Sequence, residues 1–226
     1  MRFWIGFGFQ NILSLVSFQL DIFHDFVIGF LVFILLIVVY LLFYLIYNEM
    51  VWSFYFEDSL LEFFWTCFPV FILFIIGVPR MLLLYSHERE RNVDLSLKIT
   101  GHQWYWSYDY CDFEGVNFDR YIKPISDLAL GEFRILEVDN RVVLPFGALV
   151  RFIIRRADVL HSWAIPRIGL KVDANPGRLN IIEGSSDQRG LFYGQCREIC
   201  GANHSFIPIC LEFVSVSLFK NWLRGW

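Results

Sequence analysis

The chain has 226 residues, of which 56% are apolar, including 25 Phe, and a formal net charge of −4. That is too apolar for an ordinary soluble domain, and no basic footprint for nucleic acid is present. Its five cysteines do not make a disulfide scaffold. From Val93 onward 15 basic and 15 acidic side chains balance, so the negative excess lies entirely before that point.

The first 20 residues are apolar, with Arg2 as their one charge, and no small-residue cleavage site follows. They are read as part of the mature chain rather than as a signal. Phe26 to Tyr47 is a run of 22 residues without a charged side chain, about 33 Å as a helix and enough to cross a bilayer. A first helix is expected near 24–47. A loop from Asn48 to Ser59 carries Glu49, Glu57 and Asp58, and a second helix is expected near 60–86, with Pro69, Gly77 and Pro79 inside it. Prolines survive in a spanning helix where neighbours satisfy the freed carbonyls. A buried core helix is the bland alternative for such runs, but 22 apolar residues have few homes outside a bilayer.

Two spans return both termini to one side. The hairpin loop has no Lys or Arg, whereas Arg80, Arg89 and Arg91 flank the other end, so charge counting alone would put the second half on the positive-inside face. After the charged connector His87–Arg91, short β-rich runs are expected at 95–100, 104–110, 133–138, 149–154, 179–183, 191–193 and 209–216, divided by turn residues. Residues 217–226 read as a short amphipathic helix. The expected organisation is an α+β membrane protein, with a helical hairpin in 1–92 and an antiparallel sandwich or barrel in 93–226.

The most specific chemistry sits in Cys196-Arg197-Glu198-Ile199-Cys200-Gly201-Ala202-Asn203-His204, a C-x3-C-x3-H run, with His161 upstream in Ala157-Asp158-Val159-Leu160-His161-Ser162-Trp163. Two thiols and two imidazoles form a soft ligand set suited to copper or zinc and ill suited to magnesium or calcium. A structural zinc site is the alternative reading. Cys67 falls in the second apolar run, and Cys111 and Cys210 have no ligand-like context. Strand alternation would put Trp104 and Trp106 on one face, opposite Tyr105. Asp109, Asp112, Glu114 and Asp119 form an acidic stretch with no Lys or Arg between them, either a docking patch or an idle surface loop.

Together with Gly101-His102-Gln103-Trp104-Tyr105-Trp106-Ser107-Tyr108, Leu136-Glu137-Val138-Asp139-Asn140-Arg141 and Tyr193-Gly194-Gln195-Cys196 through Phe206, these motifs make the chain resemble cytochrome c oxidase subunit II over nearly its full length. The resemblance implies a cupredoxin-like Greek-key domain behind the hairpin. It implies a dinuclear copper centre, CuA: Cys196 and Cys200 would bridge two copper ions, His161 and His204 would each complete one, and the Glu198 backbone carbonyl would be a weak ligand. The Glu198 carboxylate would hold Mg2+ at the boundary with the catalytic subunit I, where Arg141 and Asp173 are further candidates for a polar interface or a structural ion pair. Trp104 would be where electrons enter from cytochrome c, which would dock on Tyr105, Asp109, Asp112, Glu114, Asp119, Asp139 and Asp158. Glu62 would mark the mouth of a proton channel in the catalytic subunit, although a carboxylate there also suits a helix N-terminus. The implied setting is the mitochondrial inner membrane, with both termini and the β domain in the intermembrane space, contrary to the charge count. Electrons would pass on to haem a, supporting reduction of O2 and proton pumping in the other oxidase subunits. The rival class is a membrane-anchored copper- or zinc-binding module without electron transfer.

One position departs from that pattern. Where the family has a Met thioether three residues after the last His, this chain has Ile207, which carries no donor. A site that still forms, with raised potential and weaker metal retention, is expected. Alternatively the codon is read as Met in a mitochondrial code, or the RNA is edited.

Overall fold

The computed structural model describes residues 11–49, 57–88 and 91–226. The first ten residues, the middle of the hairpin loop and two residues of the charged connector lie outside the described residues. The chain divides into two compact units, Gln19–Ser86 and the rest.

The helical unit is built on α1, Leu15–Tyr47, and α2, Ser59–Glu88. Both are long and apolar enough to cross a membrane. α1 starts nine residues before the expected 24, because Asp21, His24 and Asp25 end the apolar run without ending the helix. Backbone hydrogen bonds follow the chain regardless of hydropathy. α2 opens on Asp58, whose Oδ1 accepts from the backbone N–H of Leu60 at 3.0 Å and Leu61 at 3.2 Å, an N-cap. Most side chains of both helices point outward; Ile72 is the buried residue of α2. Those apolar surfaces need lipid or protein around them.

The residues just before α1 group with the β domain. Ser14 Oγ donates to the Ile168 carbonyl at 2.8 Å and accepts from the Ser17 N–H at 3.0 Å, and the Asp187 N–H reaches the Leu13 carbonyl at 3.1 Å. Ser14 thereby caps the first turn of α1 and is held to the β domain within its own unit.

That unit contains β1 (Leu95–His102), β2 (Tyr105–Tyr110), β3 (Asn117–Arg120), β4 (Val142–Pro145), β5 (Val150–Arg156), β6 (His161–Ile165), β7 (Leu170–Ala174), β8 (Asn180–Gly184), β9 (Gly190–Gln195) and β10 (Pro208–Val214), followed by α3 (Val216–Leu223). Five strands form one sheet in the order β3-β2-β1-β5-β8, three form a second, β4-β10-β9, and β6 pairs with β7. β1–β5 and β10–β4 are parallel and the other pairs antiparallel. Strand alternation sends Trp106, Tyr108 and Tyr110 of β2 into the core. There Tyr110 OH donates to the Val143 carbonyl at 2.7 Å and Trp163 Nε1 donates to Tyr108 OH at 3.2 Å, joining strands of different sheets.

Three expectations are corrected. Residues 133–138 are not a strand: the Leu136 and Glu137 N–H groups both turn back to the Phe133 carbonyl, and only Val138 bridges, to Ile122. Trp104 lies in the turn before β2, not on a strand face shared with Trp106. The strands β3, β4, β6 and β7 were absent from the sequence reading. β6 is buried at every position, so it lacks the alternation that announces a half-exposed strand.

Candidate metal centre

Two segments converge at one end of the β unit, the start of β6 and the connection from β9 to β10. His161 begins β6, Cys196 and Cys200 lie on the loop leaving β9, and His204 opens a short turn of 3-10 helix before β10. Cys196 Sγ lies 4.0 Å from Cys200 Sγ and 3.9 Å from His161 Nδ1, and Cys200 Sγ lies 3.5 Å from His204 Nδ1. The ligand atoms of His161, Cys196 and Cys200 all fall within 4.8 Å of one another, and all three residues are buried. The Glu198 carbonyl joins them, 3.3 Å from Cys196 Sγ.

The backbone prepares this arrangement. The Cys196 N–H donates to the Ile207 carbonyl at 3.1 Å and the Arg197 N–H to the Ser162 carbonyl at 3.0 Å, so the loop is stitched to β6 and to the residue ahead of β10. Gly194 packs so tightly against the Ala164 carbonyl that no β-carbon fits there. That lets β9 deliver Cys196 beside His161.

The donor set fits a metal. A sulfur–sulfur distance of 4.0 Å is far beyond a disulfide, about 2.05 Å, and shorter than two metal–thiolate bonds end to end, about 4.6 Å. Cys196 and Cys200 would therefore hold metal through both sulfurs. The protonation states agree. Burial alone would push the Cys196 thiol up, but hydrogen bonds with His161 and with backbone at Ser162 and Glu198 outweigh it and hold the thiol below the ordinary range. Burial, and then the charge of Cys196, push Cys200 up to about 12. Two adjacent thiolates are therefore disfavoured until a cation joins them.

His161 is oriented from behind. Burial would lower its pKa, but Cys196 and Asp158 raise it. Asp158 Oδ1 meets Nε2 at 2.8 Å, which leaves Nδ1 for the thiol side. Asp158 also accepts from the N–H groups of Gln103 and Val159, each at 2.6 Å. Burial opposes its charge, yet these hydrogen bonds keep its pKa low.

The family described as "Cytochrome C oxidase subunit II, periplasmic domain" matches residues 95–214, and "Cytochrome C oxidase subunit II, transmembrane domain" matches residues 2–83. The chain belongs to the cytochrome c oxidase subunit II family. The cytochrome c oxidase subunit 2 of Choristoneura rosaceana is 44% identical over 226 residues, covering 100% of both chains, and that of Drosophila yakuba is 46% identical over 225 residues, covering 100% of this chain and 99% of the other. The crystal structure of the periplasmic domain of subunit II of Bradyrhizobium japonicum cytochrome oxidase is 41% identical, with a TM-score of 0.56, over 60% of this chain and 94% of that one. The β unit is thus the cupredoxin-like domain of subunit II, and the chain is the electron-accepting subunit of a haem-copper oxidase, anchored by its apolar helices. The family implies copper at this centre.

The other subunit II positions separate into groups. Trp104 stands against the metal loop: a β-carbon built on Gly201 would lie 3.3 Å from its indole nitrogen. Tyr105 stacks between His102, at 4.5 Å, and Tyr121, at 4.6 Å. Asp119 opposes Ser107, Asp139 accepts from the Tyr121 N–H at 3.1 Å, and Asp158 accepts from Gln103, so these three acids ring the Trp104 end. Asp109 is paired with Lys98 at 3.1 Å. Asp112 accepts from the Ser96 N–H at 2.6 Å, and with Glu114 it lies beyond the opposite end of β2, about 20 Å away along six strand residues.

Glu198 is half-buried and Ile199 fully out on the loop. Arg141 pairs with buried Glu137 at 3.3 Å and reaches Glu212 at 3.8 Å, and Tyr193 OH donates to the same Glu137. Asp173 faces Ser162 across β6–β7. Glu62 is exposed in the first turn of α2. Ile207 is buried directly before β10. Gln103, whose side-chain amide donates to the Cys200 carbonyl at 2.9 Å, is a contributor that the sequence reading missed. Its only signal was its place beside Trp104.

Proposed function

We propose that this subunit takes electrons one at a time from cytochrome c at a dinuclear copper centre and hands them to haem a of the catalytic subunit, in the mitochondrial inner membrane with the β domain in the intermembrane space. The observation that carries this reading is the buried cluster of Cys196, Cys200 and His161, with the half-buried His204 reaching Cys200 from its edge. Bound copper would supply a one-electron carrier spread over two metals.

The chain's own residues do the rest. Cys196 and Cys200 would bind from one loop, with the Glu198 carbonyl as a weaker donor. His161 and His204 both present Nδ1, and Asp158 holds the His161 proton on Nε2, keeping Nδ1 free. Stitching of the loop to β6 and Ile207 keeps the donors in place whichever charge the site carries, which keeps reorganisation small. Trp104 is the proposed point of arrival, and Tyr105, Asp119, Asp139 and Asp158 form the docking rim for a basic haem protein, with Asp109, Asp112 and Glu114 as outlying charges. The Glu198 carboxylate is proposed to hold Mg2+ at the boundary with subunit I, and Glu62 to stand at a proton-channel mouth there.

Metal analysis with electron paramagnetic resonance on the intact oxidase tests the reading. Two coppers on this subunit with a mixed-valence signal are expected. One zinc and no signal would favour the membrane-anchored binding module instead.

A further inference from the structure

Gln103 is held to the metal loops twice, once through its backbone and once through its side chain. Its N–H donates to Asp158 Oδ2, and Asp158 Oδ1 holds the ring of His161. Its side-chain Nε2 donates to the carbonyl of Cys200. One residue therefore connects the turn between β1 and β2 to a proposed ligand on β6 and to another on the loop after β9. The next residue in that turn is Trp104.

The packing shows what the clamp does. Gly201 has φ +120°, a conformation that glycine adopts readily. A β-carbon there would stand 3.2 Å from Gln103 Nε2 and 3.3 Å from the Trp104 indole. Amide and indole thus lie side by side on the bare backbone that follows Cys200. The indole N–H of Trp104 is buried and has no hydrogen-bond partner, so nothing polar on Trp104 itself fixes the ring. The constraint on its position comes from the neighbour.

We infer that Gln103 is a positioning residue for electron arrival: its amide bond to the Cys200 carbonyl holds Trp104 against the metal loop. This rests on the reading of Trp104 as the point where electrons enter. Gln103 binds neither metal nor donor in this role. Without the amide, the turn keeps its backbone tie to Asp158 but loses its register against Gly201. Losing one neutral hydrogen bond shifts a two-state population by about five- to tenfold.

The test uses the intact oxidase carrying Gln103→Leu, which keeps the bulk and removes the donor, and Gln103→Glu, which keeps the shape and sets a carboxylate against the carbonyl. Reduction of the copper site by cytochrome c is expected to slow by about five- to tenfold in both variants, while reduction by a small inorganic complex stays within about twofold and the paramagnetic signature is unchanged. Hydrogen exchange of the peptide spanning 101–106 should rise in both copper-loaded and copper-free protein. In a double-mutant cycle, Gln103→Leu should cost nothing further once Trp104→Leu is present. A parallel fall with both reductants and an altered signature would mean that Gln103 merely builds the site, and this overturns the inference. So does an additive cycle, or unchanged exchange and rate. If Trp104→Leu alone leaves cytochrome c-driven reduction intact, the reading of Trp104 falls and takes the inference with it. A slow Trp104→Leu beside a normal Gln103→Leu sinks the inference alone.

Discussion

The Asp158 carboxylate and the His161 ring meet at 2.8 Å through Oδ1 and Nε2, with the opposite ring nitrogen, Nδ1, turned to Cys196. A residue that first looks like a docking charge is therefore also the buttress of a ligand. Replacing such a partner costs about 10- to 100-fold in metal affinity in other sites. Asp158→Asn is accordingly expected to weaken copper retention by that order while the fold persists. Competition with a copper chelator measures it, and an affinity within about twofold of the native chain would show that the contact is incidental.

Copper uptake should depend on pH with a definite sign. In the free site Cys200, pushed up to about 12 by burial and by the charge of Cys196, keeps its proton through the neutral range. The metal-bound thiolate has none. Binding therefore releases at least that proton, and affinity rises with pH by about tenfold per unit for each proton displaced. Titrations across about pH 6 to 8 should show a slope of at least one, and a flat profile contradicts the two-thiolate site.

Gly194→Ala puts a β-carbon into the Ala164 carbonyl. Overpacking of this kind costs about 3 kcal/mol at the upper end of its usual range, and here β9 cannot move without moving Cys196. Denaturant unfolding should show the loss, together with weakened copper binding. A stable, fully loaded Gly194→Ala chain would reveal more give between β6 and β9 than the packing allows.

The acidic residues should not act equally on cytochrome c. Asp119→Asn and Asp139→Asn, near Trp104, are expected to slow association several-fold at low salt and little at high salt. Asp112→Asn and Glu114→Gln, at the far end of β2, should change the rate much less. Stopped-flow reduction at two ionic strengths separates the groups; equal effects from both ends would point to overall charge in place of a local rim.

Ile207 offers no thioether to the centre. Mass spectrometry of the peptide spanning 207 should first show whether Ile or Met is present in the mature protein. If Ile is present, Ile207→Met is expected to lower the copper potential and slow copper loss, because an added axial donor tunes both. No change in either would mean that the buried side chain is directed away from the metal.

Much of this was legible in the chain, because the informative patterns are local. Twenty-two uncharged residues need a low-dielectric setting whatever surrounds them, and C-x3-C-x3-H places three donors within reach of one point through the geometry of a single loop. The paired motifs around Trp104 and His161 were enough to name the family. Assignments failed where a residue's state depends on a distant segment. Residues 133–138 have strand-like composition, but the Leu136 and Glu137 N–H groups bond back to the Phe133 carbonyl and Val138 alone pairs across, so the segment turns. β6 pairs with β7 and is buried at every position, so it carries no alternation to read. Trp104 sits in a turn because the register of β1 and β2 pairs His102 with Tyr105, and no propensity states that register.

Membrane anchoring, the candidate donor set and the family follow from composition and spacing, which survive any arrangement of the rest. The tertiary structure alone decided that Asp158 backs His161, that Gln103 clamps the turn bearing Trp104 to Cys200, and which acids surround that turn. Each of these contacts joins residues between 3 and 97 positions apart, and a hydrogen bond depends on distance and direction in space, which the order of residues along the chain does not specify.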